Sequence, residues 1–119
     1  MEKVRLTEKF ALFEQHWTPK IVGELNDSYV LLAKLKGKLF WHMHEREDEL
    51  FLVIKGTLLL KLRDRDVRLK EGEFFIVPKG VEHLPIAEEE AQVLLLEPKS
   101  TRHTGNVVNE RTVMDYERL

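Results

Sequence analysis

The chain has 119 residues, 34% of them charged and 43% hydrophobic, with a net charge of −2. That length amounts to one domain, residues 1–119, and interspersed acids and bases lack the basic stripe of a nucleic-acid binder. The longest apolar runs, residues 58–60 and 93–96, are far too short to span a bilayer. Residues 1–5 carry no apolar signal-peptide core. The absence of cysteine removes disulfides and thiolate metal sites. A cytoplasmic protein that binds neither nucleic acid nor membrane is expected.

Residues 1–18 read as a lead-in, with Thr7 placed to cap a helical turn over 8–13. Short extended segments follow. The first covers 21–25 and ends at Asn26-Asp27-Ser28, and the second covers 29–36 and stops at Gly37. An alternating run over 39–44 enters the charged bend Glu45-Arg46-Glu47-Asp48. Strands are predicted next over 49–55, ending at Gly56, over 57–63, ending at Asp64-Arg65, and over 67–70, ending at Glu71-Gly72. The last three cover 74–77 before Pro78-Lys79-Gly80, 83–87 before a solvated turn at Glu88-Glu89-Glu90, and 92–96 before Pro98. Strands with turn residues at this spacing predict a sandwich or barrel, with its core over about 20–98. The polar tail, 99–119, reads either as one more strand around 106–113 or as a mobile end.

Several strands are apolar on both faces, whereas a strand with one wet face shows polar residues there. Trp41, Met43, Leu50, Leu52 and Ile54 alternate as one apolar set, larger than a monomer ordinarily leaves in water. A two-fold homodimer burying some of these residues is expected.

His42 and His44 are two apart in an extended run, so both imidazoles point to one face, about 7 Å apart along the backbone. A hairpin through the bend brings Glu49 toward them, and the turn at Pro78-Lys79-Gly80 delivers His83 from a distant strand. Three imidazoles and a carboxylate suit one divalent transition metal, whether Fe, Ni, Mn, Zn or Cu. A His-x-His pair alone carries about even odds of being a ligand pair. His16 and His103 are expected to lie away from the metal.

The wider pattern resembles the cupin superfamily. His42, His44, Glu49 and Gly56 match the spacing of its first motif, with Gly37 one residue too close. Gly72, Pro78, Gly80 and His83 match its second motif, with Ala87 where the family has Asn. The pieces Trp17-Thr18-Pro19-Lys20 and Gly72-Glu73-Phe74-Phe75-Ile76-Val77-Pro78 are similar to small stand-alone cupins labelled as relatives of mannose-6-phosphate isomerase. The resemblance implies an all-β fold, a double-stranded β-helix or jelly-roll barrel, with metal on His42, His44, Glu49 and His83. Phe40 and Phe51 are expected to wall the metal cavity, and Lys34 is a candidate contact for a small-molecule ligand. The function expected is a metal-dependent enzyme, a dioxygenase or isomerase acting on a small sugar-like, diol or diketone substrate. A non-catalytic binding or sensor protein is the alternative, and no general base is evident.

Overall fold

The computed structural model describes residues 2–119. One short helix, α1 (Leu6–Phe10), precedes β1 (Lys20–Leu25), β2 (Ser28–Lys38), β3 (Glu49–Lys55) and β4 (Leu58–Leu62). The chain continues through β5 (Asp66–Leu69), β6 (Phe74–Val77), β7 (His83–Pro98) and β8 (Glu117–Arg118). Among the described residues no helix is long and apolar enough to cross a membrane.

The 16-residue β7 organises the barrel. Its first residues pair with β4, from Leu62↔His83 to Leu59↔Ile86. Its later residues pair with β3, with Leu50↔Leu96 and Val53↔Val93. On its other side it runs antiparallel to β2 from Ser28↔Pro98 to Lys38↔Ile86. β5 extends β4, β6 extends β3, and β1 extends β2 with β8 parallel at its edge. The result is a double-stranded β-helix, the barrel that the strand spacing predicts in the form that the resemblance implies.

Alternation explains the interior. Glu49, Phe51 and Val53 in β3, Leu58, Leu60 and Leu62 in β4, and Ala91, Val93 and Leu95 in β7 are all buried. Period-two placement of these side chains seals the barrel, at about 1.5–3 kcal/mol for each large one buried. On the outer face, Phe10 and Phe13 of the lead-in cover Leu32, with Leu6, Val22, Ile54 and Leu94 packed around them. Phe74 and Ile76 on β6 stay exposed, beside half-buried Leu50 and Leu52 of β3.

Several boundaries differ from the sequence reading. The helix starts at Leu6 with Arg5 at its cap, and no side chain caps it. Gly37 does not stop β2; its positive φ of 83° absorbs a bulge between Leu35 and Gly37, and pairing resumes. The acidic triplet is not a turn. Glu88, Glu89 and Glu90 are exposed residues inside β7, where the strand passes from its β4 partner to its β3 partner. Residues 39–44 form no strand and meet β7 through one bridge, His42↔His83, and through the Leu39 amide, which donates to the Pro85 carbonyl at 3.1 Å. Trp41 and Met43 therefore leave the apolar set of β3. Trp41 stacks under the Arg63 guanidinium, 3.7 Å from its ring centre, and the Met43 backbone pairs with Asn106. The tail forms turns over 106–113, and its only strand is β8.

Candidate metal centre

Backbone pairing sets the two central imidazoles side by side. The His42 amide donates to the His83 carbonyl at 3.1 Å, and the His83 amide donates back at 2.9 Å. Residues that exchange both bonds in this way carry neighbouring side chains on one face, and the two rings lie 4.3 Å apart. The turn before His83 is closed by the Val81 amide on the Pro78 carbonyl, with Gly80 at a φ of 79°. The Gly80 amide also donates to the His44 carbonyl at 2.7 Å, and the Lys79 amide to Asp48 Oδ1 at 2.8 Å. These bonds tie the bend after His44 to the turn before His83. Glu49, first in β3 and on its inward set, then enters from the adjacent strand.

One nitrogen from each of His42, His44 and His83 lies within 4.8 Å of the other two, and all three residues are buried. Two ligand nitrogens about 2.1 Å from one ion lie no more than about 4.2 Å apart, so small ring rotations close the set. Glu49 Oε1 is 3.1 Å from His44 Nε2 and 3.6 Å from His83 Nε2. Nδ1–H of His42 donates to the Phe40 carbonyl, and Nδ1–H of His83 to the Val81 carbonyl, each at 3.0 Å. Fixing the proton on Nδ1 leaves Nε2 of both rings with a free lone pair, the tautomer a metal ligand needs. His83 Nε2 and His44 Nδ1 are buried with no hydrogen-bond partner. Such orphans are uncommon in a folded interior and point to an absent partner. The donor set thus fits a divalent transition metal.

The electrostatics follow the same geometry. Burial, aided by the neighbouring His83, pushes the His42 pKa down to about 4, so its ring is neutral. Burial opposes charge on His44 as well, but the Glu49 hydrogen bond and the Glu49 and Glu47 charges outweigh it and raise its pKa. Burial also opposes charge on Glu49, yet the hydrogen bond with His44 and the nearby His83 ring hold its carboxyl well below the usual range. The proton between His44 and Glu49 is the one a cation would displace.

Phe51 stands 6.1 Å from the His83 ring and Phe40 5.7 Å from the His42 ring, so both aromatics flank the cluster. Lys34 is not brought to it. Leu31, Ala33 and Leu35 face the interior, and Lys34 alternates to the outer face of β2. There its ammonium donates to the Phe13 carbonyl at 2.6 Å. The lead-in, which covers that face, is the physical reason for the misplacement.

Two further residues stand beside the cluster: His103, which the sequence reading placed away from it, and Glu97, which that reading did not consider. His103 lines a cavity of about 30 Å³ together with His42, Glu49 and Phe51. Its Nε2 accepts from the Val113 amide at 2.9 Å, and burial lowers its pKa. Nothing in the sequence before position 103 signals that return of the chain. Glu97 is 1% exposed, with neither carboxyl oxygen hydrogen bonded. It sits one step beyond the Leu50–Leu96 pair, opposite Glu49. Burial and the Glu49 charge raise its pKa well above the usual range. An acid on the inward parity of Val93 and Leu95 is the signal that could have found it. His16 lies away from the cluster, 2.7 Å from Glu90.

Comparison with known proteins agrees with this geometry. Residues 32–105 match the family described as Cupin domain. The chain is 40% identical over 63 residues to the uncharacterized protein YdbB of Bacillus subtilis, covering 52% of this chain and 56% of that one. It is 31% identical over 81 residues to 3-hydroxyanthranilate 3,4-dioxygenase 2 of Aspergillus fumigatus, covering 63% of this chain and 42% of the relative. The chain thus spans about half the length of the curated relatives it matches. Among solved structures, a cupin-2 domain protein of Shewanella frigidimarina superposes with a TM-score of 0.80 at 43% identity, over 81% of this chain and 94% of that one. Protein NMB1881 of Neisseria meningitidis superposes with a TM-score of 0.75 at 28% identity, over 82% and 100%.

Proposed function

The chain belongs to the cupin domain family, and on that premise we propose that it is a metal-dependent enzyme of the dioxygenase type acting on a small polar molecule. The observation that carries this reading is the convergence of three buried imidazoles, two of which, His42 and His83, hold their Nδ1 protons on backbone carbonyls and leave Nε2 free. His42, His44, His83 and Glu49 would hold one divalent transition metal. When bound, such an ion supplies a Lewis acid and an open position for dioxygen or for two oxygens of a substrate. The chain's own residues keep two Nε2 atoms deprotonated, orient Glu49 and exclude bulk water with Phe40 and Phe51. Similarity to 3-hydroxyanthranilate dioxygenases favours oxygenation over isomerisation. The test is metal analysis of the protein as purified, followed by oxygen uptake with catechol-type and diketone compounds after reconstitution with Fe²⁺. One equivalent of metal and substrate-dependent uptake support the reading. A protein that binds no divalent metal refutes it.

The same reading includes a homodimer. The remaining outer apolar face, with Phe74 and Ile76 exposed beside Leu50 and Leu52, lies on the edge strand β6. It supports a second copy as the partner, because a two-fold contact there leaves the imidazoles on the inner face free.

A further inference from the structure

The segment after β7 is the least regular part of the molecule, yet it lies directly against the centre. Residues 101–116 leave β7 at Pro98 and return to β8 at Glu117, so both ends are anchored in the sheet. Between them the segment is bonded mainly to itself. The Arg102 guanidinium donates to the Gly105 carbonyl at 2.7 Å, and the Thr104 hydroxyl to the Val107 carbonyl at 2.6 Å. Thr104 and Thr112 share a hydrogen bond, and Val113 donates to His103. A loop packed on its own side chains forms a compact unit.

Its hydrogen bonds with the barrel are few and face the His-x-His segment, while Tyr116 at its far end packs against the barrel core. The Asn106 amide donates to the Met43 carbonyl at 3.0 Å, and Asn106 Oδ1 accepts from the Met43 amide at 3.0 Å. Arg111 donates to the Lys38 carbonyl at 3.0 Å. Gly105, at a φ of 59°, passes so close that a Cβ there would overlap the Met43 carbonyl and lie 3.1 Å from the His42 ring. His103 completes the wall of the cavity beside His42 and Glu49.

That cavity, about 30 Å³, holds about one water. Small-molecule sites occupy about 300–1,000 Å³. With the segment in place the three imidazoles stay 0–3% exposed, although an open cavity of about 360 Å³ lined by His44, Glu45, Arg102, Gly105 and Asn106 adjoins them. Lifting it breaks the bonds to Met43 and Lys38 and keeps its internal ones. The buried residues it would expose are Thr101, His103, Thr104 and Gly105, and the one large ring it would draw from the barrel core is half-buried Tyr116.

We propose that residues 101–116 are a lid that lifts from the 38–43 segment as one body to admit a substrate-sized ligand to the three imidazoles. The inference rests on the metal reading for its function and on the segment's own bonding for its motion, and the two are tested separately. The first arm is amide hydrogen exchange in the metal-free full chain. The Met43 and Asn106 amides should exchange well ahead of the Leu31 and Val93 amides of the barrel. Asn106→Ala should speed Met43 exchange about fivefold, the effect of one ordinary hydrogen bond, and leave the barrel amides unchanged. Exchange of Met43 only with the barrel as a whole would overturn the lid.

The second arm is stopped-flow binding of 4-nitrocatechol to the Co²⁺-loaded protein. The wild-type rate should level off at high probe concentration, and Asn106→Ala should raise the plateau about fivefold. Gly105→Ala, which forces the lid off Met43, should remove the plateau. Rates that are linear and equal in all three proteins would overturn the proposal. If Co²⁺ itself fails to bind, the metal reading falls, and the exchange arm decides the lid alone.

Discussion

Acidifying the metal-free protein should expose the cost of keeping His42 neutral. The residue is 2% exposed, and its pKa falls from 6.5 to about 4 in the fold, chiefly through burial. A histidine depressed in this way binds its proton in the unfolded chain first. Stability is therefore lost as pH falls from 6.5 toward 4, and levels off below that. At about 1.4 kcal/mol per pH unit the full effect is about 3 kcal/mol, about 2 of it reached by pH 5. His44 acts in the opposite sense, because its raised pKa adds stability below 6.5 that is lost as pH rises through its folded value. Comparison with His42→Gln isolates the first effect. Urea unfolding in EDTA at pH 7 and pH 5 should show the wild type losing about 2 kcal/mol more than the variant over that interval. Equal losses would mean that the His42 ring is not held neutral by its site.

Three further expectations rest on single contacts. His83→Ala should weaken Co²⁺ or Zn²⁺ binding at least about a hundredfold in competition with a coloured chelator, since even outer-shell partners are worth about 10–100-fold; His103→Ala should cost far less, and the reverse order would misplace the centre. Sedimentation at micromolar concentration should give a dimer that Phe74→Lys with Ile76→Lys converts to monomer, and a monomeric wild type would refute the outer-face interface. Gly56 has a φ of 88°, and a Cβ there would stand 2.9 Å from the Glu90 carbonyl oxygen and 3.2 Å from Ala91 Cα. Gly56→Ala should therefore cost about 2–4 kcal/mol in chemical denaturation, from backbone strain and overpacking together, and a loss under about 1 kcal/mol would show that the β3–β4 turn yields.

Local signals carried most of the barrel, because its strands are bounded by residues whose turn preference is strong. β3 and β6 lie where alternation and the following Gly56 and Pro78 place them. The grouping of His42, His44 and His83 was legible for the same reason, since parity in an extended run fixes a face whether or not the run pairs as a strand. What failed depended on non-local packing. Lys34 shares its face with Val30 and Leu32 by parity, but nothing local says which face the lead-in covers. The acidic triplet reads as a turn, although pairing on either side carries β7 straight through it. His103 returns to the centre through Gly105 and Asn106, whose bonds to residue 43 have no periodic signature.

Glu97 gives the sharpest remaining contrast between cost and retention. Burial and the charge of Glu49 opposite it raise its pKa well above 4.5, while the hydrogen bond with His44 and the nearby His83 ring outweigh burial and hold Glu49 well below that value. The proton of this carboxyl pair therefore resides on Glu97. An acid with a raised folded pKa keeps the fold stable at low pH and loses that stability as pH climbs from 4.5 through the folded value. Glu97→Gln keeps the shape and the buried polar atoms but cannot ionise, so unpaired-amide and unpaired-acid costs largely cancel in the comparison. In EDTA the variant should gain on the wild type as pH rises above 4.5, by up to about 1.4 kcal/mol per pH unit until the folded pKa is passed. Metal should reduce the gain, because a cation beside Glu49 offsets the negative charge that Glu97 faces. Urea unfolding at three pH values measures it. A difference that stays flat or shrinks with pH in the metal-free protein would mean that Glu97 ionises freely, and that the two carboxyls are not opposed across β3 and β7.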